Sequence, residues 1–394
     1  MSEALQDAPA PPPRTSPGMA GLRAVIAAEL APITHEVDHG GLYPAQAMRA
    51  LGGAGLYGHH LRATAARPSI GAAIDAMAAV SETCMSAGFC TWCQDASGWY
   101  LEQSDNAALR DDLQPGLASG AQMGGTGLSN PMKSLSGIEA FKLRGRRVPG
   151  GYEVSGVLPL VSNLGDGHLF GTVFEDADDG GHRVMAMIRC GQPGVSLKQN
   201  AHFVALEGTG TYSVLFRRAF IADGQLLADP LGDMVRRIKA GFILLQTGMG
   251  LGVTQACVEL MRDANVTHGH SNKYLPRQAH NFADDLAVIR QEVARLAETP
   301  LEQAPEYLRA VLTARLRVSE LTLEAGQSAL MHAGARGYIE GSPVNRRIRE
   351  GHFVAIITPS IRHLRQELGR PELRPVEPRP AAGTLPGTVP GTVH

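Results

Sequence analysis

The stretch LMHAGARGYIEGSPVNRRIRE, from Leu330 to Glu350, indicates the architecture of the last part of the chain. It begins at the end of a segment with helical spacing, Tyr307–Ala333, and a second such segment, Val344–Ile357, follows it. Gly334 and Gly337 lie between the two, as is typical of a turn. The stretch therefore predicts a short glycine-containing link between two long helices of a bundle.

The region around this stretch extends the same pattern. From Met234 to about Leu368 the chain is helical in long segments, including Phe242–Arg262 and Ala279–Ala297, and short polar links such as THGHSNKYLPRQ join them. Four such segments predict a C-terminal four-helix bundle over residues 231–369.

The two preceding regions differ from each other in hydrophobic spacing and in glycine content. Residues 21–117 carry apolar residues at helical spacing, as in Leu22, Val25, Ile26 and Leu30, and predict an N-terminal helical domain. Residues 118–230 are rich in glycine and in short β-branched runs, which predict a central antiparallel β domain. The fold class is therefore α+β, and the missing βαβ alternation argues against a Rossmann fold.

Composition excludes several function classes. The chain has 394 residues, a hydrophobic content of 44% and a formal net charge of −2, so no basic excess favours nucleic acid. Five scattered cysteines fit a reduced cytoplasm, and without a matching second pair or a histidine cluster they predict no metal site. The apolar stretch Ala240–Val258 contains glutamines, threonines and glycines, which favours a buried bundle helix over a membrane span. The proline-rich ends, residues 1–20 and 370–394, are predicted to be disordered.

Four stretches, in this order along nearly the whole folded chain, resemble sequence patterns of the acyl-CoA dehydrogenase superfamily. They are GYEVSGVLPLVSN (Gly151–Asn163), LFRRAFIADGQLLAD (Leu215–Asp229), GVTQACVEL (Gly252–Leu260) and LMHAGARGYIEGSPVNRRIRE (Leu330–Glu350). The resemblance implies FAD between the β domain and the bundle, in a homotetramer whose neighbouring subunits complete each site. Some members of the superfamily form heteromers with a related chain instead.

The resemblance also implies which residues contact the cofactor. Ser162 stands where a hydroxyl hydrogen-bonds flavin N5, and Leu160 replaces a tryptophan that covers the ring. His268 or Asn265, depending on where a short gap is placed, takes the position of an arginine on the FAD diphosphate, and neither reproduces its bidentate charge. The remaining expected cofactor contacts are glycine-rich backbone or its neighbours, where N–H groups can approach the flavin closely: Gly125, Thr126, Leu128, Ser129, Gly334 and Gly337.

The family's proton acceptor is missing from both positions where its members keep one. In Arg349–Leu364 the resemblance places Thr358 where many members have the glutamate that removes the substrate's α-proton. The alternative glutamate, at the start of the first bundle helix, corresponds to Phe242. A hydroxyl is no useful base near neutral pH without an activating partner, so ordinary α,β-dehydrogenation is not expected. By the same resemblance Thr91, Trp92, Gln94 and Phe242 are expected to contact substrate, and Thr358 and Ser162 to act at the reacting atoms.

Three functions follow from this pattern. The first is a flavin-dependent oxidoreductase that oxidises or hydroxylates a small organic or acyl-thioester substrate without the glutamate. It resembles the flavin monooxygenases of the superfamily and uses FAD, or reduced FMN or FAD supplied by a reductase. The second is an acyl-CoA dehydrogenase with an unusual base, and the third is a silent subunit of a heteromeric dehydrogenase. Two histidines flank Thr358: His352 is the nearest titratable group before it, and His363 is expected to face solvent.

Overall fold

The computed structural model describes residues 17–373, and the predicted disorder of residues 1–16 and 374–394 lies outside that range. A helix already begins at Pro17, within the N-terminal segment predicted to be disordered. The N-terminal helices are α1 (Pro17–Val25), α2 (Thr34–His39), α3 (Ala45–Gly53), α4 (Ile70–Thr83), α5 (Met85–Gln103) and α6 (Ala107–Ser119). Helix α5 is buried along nearly its whole length, so it forms the centre of the molecule and can present side chains to both neighbouring regions.

An eight-stranded sheet forms the middle of the chain. Its strands are β1 (Gly124–Thr126), β2 (Leu143–Val148), β3 (Gly151–Val161), β4 (Leu169–Asp176), β5 (Arg183–Arg189), β6 (Val195–Lys198), β7 (Tyr212–Ala222) and β8 (Leu226–Ala228), with helix α7 (Ser129–Leu135) after β1. The order is β6-β7-β3-β2-β4-β5-β8, and β1 pairs with β4. Most pairings are antiparallel, as predicted, while β1 and β2 run parallel to β4.

The C-terminal helices are α8 (Met234–Leu245), α9 (Thr247–Asn272), α10 (Ala279–Leu296), α11 (Pro305–Ala333), α12 (Pro343–Ile356) and α13 (Ile361–Leu368). Helices α8 and α9 together are long and apolar enough to cross a membrane by length and composition. Of their most apolar window, however, 94% is buried inside the protein, as expected of the core helix of a bundle. The α+β fold class with its terminal bundle is thus confirmed.

The link between α11 and α12 is a short 3₁₀ helix, Gly334–Tyr338, as the glycine spacing predicted. Gly334 has a φ of +61°, a conformation that side-chain-bearing residues rarely adopt. Gly337 is buried, and a Cβ there would lie 2.9 Å from the Cβ of Ala333. The backbone geometry of the turn itself therefore accounts for both glycines.

A buried ion pair joins the bundle to the N-terminal helices. Arg347 Nη1 donates to Glu350 Oε2 at 2.7 Å, and the same guanidinium donates to the carbonyl oxygens of Ser81 and Thr83, both at 3.2 Å. Glu350 Oε1 accepts from the backbone N–H of Met85 at 3.2 Å. Because these contacts hold the junction of α4 and α5 against α12, they fix the position of the segment that follows α12.

Candidate active site

A cavity of about 250 Å³ lies where the N-terminal helices, the sheet and the bundle meet. Helix α5 contributes Trp92, the end of β3 contributes Leu160 and Ser162, α8 contributes Phe242, and the end of α12 leads to Thr358. Residues that the sequence analysis selected from distant parts of the chain therefore share one cavity. This location between β domain and bundle is the one expected for the cofactor.

Hydroxyl groups form most of the polar lining of this cavity. Ser162 Oγ lies 2.7 Å from Thr211 Oγ1, which lies 2.8 Å from Thr209 Oγ1. A second hydroxyl pair in the lining is Ser129 and Thr358, whose Oγ and Oγ1 atoms lie 3.1 Å apart. Each of these hydroxyls can both donate and accept, so the lining can reorganise its hydrogen bonds around an uncharged heterocycle.

Proton acceptors of useful strength are missing from the lining that the structure describes. No lining residue carries a carboxylate or an imidazole, and Lys133 is the ionisable side chain among them. Both positions from which the family's glutamate would act, Thr358 and Phe242, lie on this wall. The arrangement can hold and orient a substrate, but its own side chains offer no base for removing an unactivated proton.

One wall of the cavity is aromatic. The rings of Phe242 and Trp92 meet edge to face with centroids 5.0 Å apart, and Phe89 stacks on Trp92 at 5.7 Å. The indole N–H of Trp92 donates to the carbonyl oxygen of Phe242 at 3.4 Å, which locks α5 to α8. These contacts give the cavity a rigid apolar face of the kind that planar ligands use.

Not every residue expected at the site lines this cavity. Thr91 is buried and donates to the carbonyl oxygen of Ala87 in its own helix at 2.9 Å. Gln94 donates to the carbonyl oxygens of Leu117 and Gln122, both at 2.8 Å, and accepts from the N–H of Gly124 at 2.7 Å. The structure thus places both residues in contacts that hold the protein together instead of in the cavity.

The glycine-rich segment divides its residues among three environments. Thr126 and Ser129 line the cavity, and Thr126 also hydrogen-bonds the hydroxyl of Tyr100 with an oxygen–oxygen distance of 2.6 Å. Leu128 faces a second cavity. Gly125 packs against β3, because a Cβ on it would lie 2.4 Å from the carbonyl oxygen of Ser162.

We expect Gly125→Ala to lower the free energy of unfolding by about 1–3 kcal/mol, since the new methyl group would overpack the β1–β3 contact. Thermal unfolding of the purified protein measures the effect. Gly180→Ala is the matched control, because nothing lies within 4 Å of a Cβ placed there and its φ is ordinary. Equal melting temperatures for the two variants would contradict the close packing of Gly125 against the backbone of Ser162.

The remaining predicted cofactor residues, His268, Gly334 and Gly337, lie outside the cavity. His268 is on α9, whose last residue Asn272 donates to the carbonyl oxygen of His332 at the end of α11 at 3.1 Å. Gly334 and Gly337 follow directly after α11. None of the three lines the cavity within this chain.

Two features of the site were missed from the sequence. Thr209 and Thr211 join the hydroxyl lining, and the repeat Gly208-Thr209-Gly210-Thr211 between β6 and β7 is the signal that could have revealed them. The expectation that His363 faces solvent was wrong: the residue is 4% exposed and lines the second cavity. It lies in the first turn of α13, and the inward face of a short helix cannot be assigned from its sequence neighbours.

Comparison with known proteins matches the fold. No family model matches the chain. Benzylmalonyl-CoA dehydrogenase of Aromatoleum aromaticum (strain DSM 19018 / LMG 30748 / EbN1) is 23% identical over 270 residues, covering 65% of this chain and 70% of that protein. A probable acyl-CoA dehydrogenase of Bacillus subtilis (strain 168) is 22% identical over 353 residues, covering 83% and 90%.

Solved structures agree. Butyryl-CoA dehydrogenase from Megasphaera elsdenii superposes with a TM-score of 0.79 at 15% identity, over 89% of this chain and 96% of that one. The chain has the acyl-CoA dehydrogenase fold. Dibenzothiophene monooxygenase from Paenibacillus sp. A11-2 shares the fold with a TM-score of 0.77 at 16% identity, over 89% and 96%. So does KijD3 in complex with FMN and a dTDP-amino-keto sugar, with a TM-score of 0.74 at 20% identity, over 90% and 93%.

These comparisons confirm the resemblance to the acyl-CoA dehydrogenase superfamily. They also show that this acyl-CoA dehydrogenase fold is shared by dehydrogenases and monooxygenases. The same fold supports both reactions, so the side chains of the cavity determine which reaction is possible.

Proposed function

We propose that the chain is a flavin-dependent oxidoreductase that works without a carboxylate base and oxidises or hydroxylates a small organic or acyl-thioester substrate. The observation that carries the proposal is the lining of the 250 Å³ cavity, which is rich in hydroxyl groups and contains no carboxylate among its described residues. α,β-Dehydrogenation of a saturated thioester requires removal of a weakly acidic proton. Hydroxylation by O₂ and reduced flavin has no such requirement.

The side chains of the cavity fit an isoalloxazine ring. Ser162, with its hydroxyl in a network with Thr211, would hydrogen-bond the ring edge, and Thr126, which is bridge-paired with Ser162, and Ser129 offer further hydroxyl groups to the ring. Trp92 and Phe242 would supply a flat apolar face. A bound FAD or FMN supplies the redox chemistry, since its reduced form reacts with O₂ and its oxidised form accepts a hydride.

The small, partly exposed side chain of Leu160 indicates how the cofactor is supplied. Its side chain lines the cavity and is 48% exposed, and it is much smaller than the tryptophan expected there in a typical dehydrogenase. A less completely covered ring suits a flavin that enters and leaves, as when a reductase delivers it reduced. The lining without a carboxylate favours hydroxylation, and the exposed Leu160 favours a flavin delivered by a reductase. Both observations support the monooxygenase branch of the fold.

A visible spectrum and two activity assays test the proposal. We expect product oxygenation when the protein is given NADH, a flavin reductase, FAD or FMN, and O₂, with ¹⁸O from labelled O₂ in the product. We expect no bleaching of bound flavin by saturated straight-chain acyl-CoAs under anaerobic conditions. Rapid bleaching would instead identify a dehydrogenase with another base, and failure to bind either flavin would identify a silent subunit.

We further propose that the protein assembles into a homotetramer in the cytoplasm. Large apolar side chains are exposed near the ends of α9 and α11, with Val266 at 88%, Tyr274 at 82% and Tyr338 at 79%. Such a concentration is typical of a subunit contact. The same two helix ends carry His268 and the exposed Gly334, which would reach a neighbouring subunit's cofactor there. Light scattering should give four times the 41.8 kDa chain mass, and Tyr274→Glu should shift it to smaller species.

A further inference from the structure

Lys133 is the ionisable side chain among the described residues that line the 250 Å³ cavity. The residue is partly exposed, and within residues 17–373 its ammonium group has neither an ion-pair partner nor a hydrogen-bond acceptor. A lysine at a cavity wall that has no carboxylate partner of its own can pair with an anionic group of a ligand.

Lys133 lies on the same side of the cavity as Thr358. It stands four residues after Ser129 on α7, and side chains at this spacing share one face of a helix. Ser129 Oγ lies 3.1 Å from Thr358 Oγ1, so α7 holds Lys133 close to the position of the missing base. The residues assigned to the flavin ring, Leu160 and Ser162, come from the end of β3 instead. Lys133 is therefore placed where the substrate, and not the ring, is expected.

A second positive charge lies behind Thr358. Arg315 of α11 is fully buried, and it donates to Gln246 Oε1 at 3.0 Å and to the carbonyl oxygen of Val354 at 2.8 Å. Its third acceptor is the hydroxyl of Ser319, so none of the three acceptors is charged. Gln246 in turn donates to the carbonyl oxygen of Thr358 at 2.8 Å. Burial lowers the pKa of Arg315 to about 10, so the guanidinium is still charged at pH 7 without a carboxylate to neutralise it.

Carboxylates on neighbouring segments are engaged elsewhere. Glu139, which follows α7, accepts from Asn130 Nδ2 at 2.8 Å. Glu367 of α13 accepts from Lys239 Nζ at 3.0 Å. Neither of them pairs with Lys133 in the part of the chain that the structure describes. The wall formed by α7 and the end of α12 is therefore electropositive, which favours an anion in the cavity.

We propose that the wall carrying Lys133 and Thr358 binds the substrate of the proposed oxidoreductase through a carboxylate group, so that the substrate is a small organic anion. The carboxylate can accept from Lys133 Nζ. It can also accept from Thr358 or Ser129, because two paired hydroxyls leave one proton free to donate. The edge-to-face rings of Trp92 and Phe242 offer the rest of the molecule an apolar contact. Lys133 is accordingly a specificity-determining residue, and this assignment rests on the proposed function.

Calorimetric titration of the full chain loaded with FAD tests the site, with phenylacetate and phenylacetamide as probes. The two compounds match in size and shape, and only the first is charged at pH 7. We expect phenylacetate to bind about tenfold more tightly or better, the factor associated with one hydrogen bond to a charged group. Equal affinities, or no binding of either compound, would overturn the proposal. So would a preference that is present without FAD and lost when FAD binds, because Lys133 would then pair with the cofactor.

Lys133→Met keeps the unbranched side chain and removes its charge, and we expect it to reduce the preference for phenylacetate to nearly one. Lys133→Arg keeps the charge and should retain most of the preference. Lys198→Met, at an exposed lysine on β6, is the matched control and should behave as wild type. An unchanged preference in Lys133→Met, or an equal loss in Lys198→Met, would overturn the assignment.

Calorimetry measures binding and not turnover, so the two proposals fail separately. A protein that takes up no flavin but still prefers phenylacetate would reject the proposed oxidoreductase and keep the anion site. Normal flavin binding and oxygenation without any preference for phenylacetate would reject the anion site alone.

Discussion

Replacing Thr358 by glutamate is expected to make the bound flavin reducible by a saturated acyl-CoA, at a rate about 10² times or more that of the wild-type protein. Thr358 lies on the cavity wall and hydrogen-bonds Ser129, with its backbone carbonyl fixed by the side-chain amide of Gln246 at 2.8 Å. A carboxylate placed there would face the proposed flavin position. Because a positioned base contributes about 10²–10⁴-fold, supplying one should restore a reaction that its absence prevents.

Anaerobic stopped-flow spectroscopy of the flavin band measures this rate. Thr358→Gln is the matched control, since it has nearly the size of glutamate without its basicity, and it should stay as slow as wild type. Fast bleaching of the wild-type protein would show that another group removes the proton. No gain in Thr358→Glu, with flavin still bound, would show that position 358 does not face the reacting carbon.

Replacing Glu350 by alanine is expected to lower the free energy of unfolding by about 3–5 kcal/mol. The side chains of Arg347 and Glu350 are 5% and 2% exposed, and Glu350 is the carboxylate at 2.7 Å from the guanidinium. Truncation would leave that guanidinium buried without its counterion and would also remove the acceptor of the Met85 N–H. Equilibrium unfolding in urea, followed by circular dichroism, measures the loss.

Glu292→Ala provides the comparison for this substitution. Glu292 pairs with Arg317 on the bundle surface, where the two side chains are 23% and 43% exposed. An exposed pair of that kind contributes about 0–1 kcal/mol, so this variant should stay close to wild type. Equal urea midpoints for the two variants would contradict the prediction that the buried Arg347–Glu350 pair stabilises the fold more than the exposed Arg317–Glu292 pair.

Much of the fold could be predicted because its long elements have strong periodicity. The segment Ala279–Ala297 was expected to be helical, and α10 runs over Ala279–Leu296; Tyr307–Ala333 was expected, and α11 runs over Pro305–Ala333. Short elements gave weaker signals. Helix α7, of seven residues, lies inside the region assigned to strands, and α1 begins within a segment assigned to disorder.

The candidate site was predictable only where a family pattern marked it. Thr358, Ser162, Trp92 and Phe242 were expected to share a site, and they line one cavity. Gln94 was expected beside them, yet it holds β1 to α5 and α6 through backbone hydrogen bonds. Whether a polar side chain faces a cavity or pairs with nearby backbone depends on packing that local sequence does not encode.

The sequence by itself determined the order of helices, sheet and bundle, and the missing carboxylates at positions 242 and 358, because periodicity and residue identity are properties of the chain alone. Only the tertiary structure decided that Thr209 and Thr211 join Ser162, that His363 is buried, and that a second cavity shares Phe242 with the first. Those features arise from contacts between residues far apart in sequence, 49 positions for Ser162 and Thr211 and 227 for Ser136 and His363. The strength and direction of such contacts are fixed only when the elements pack.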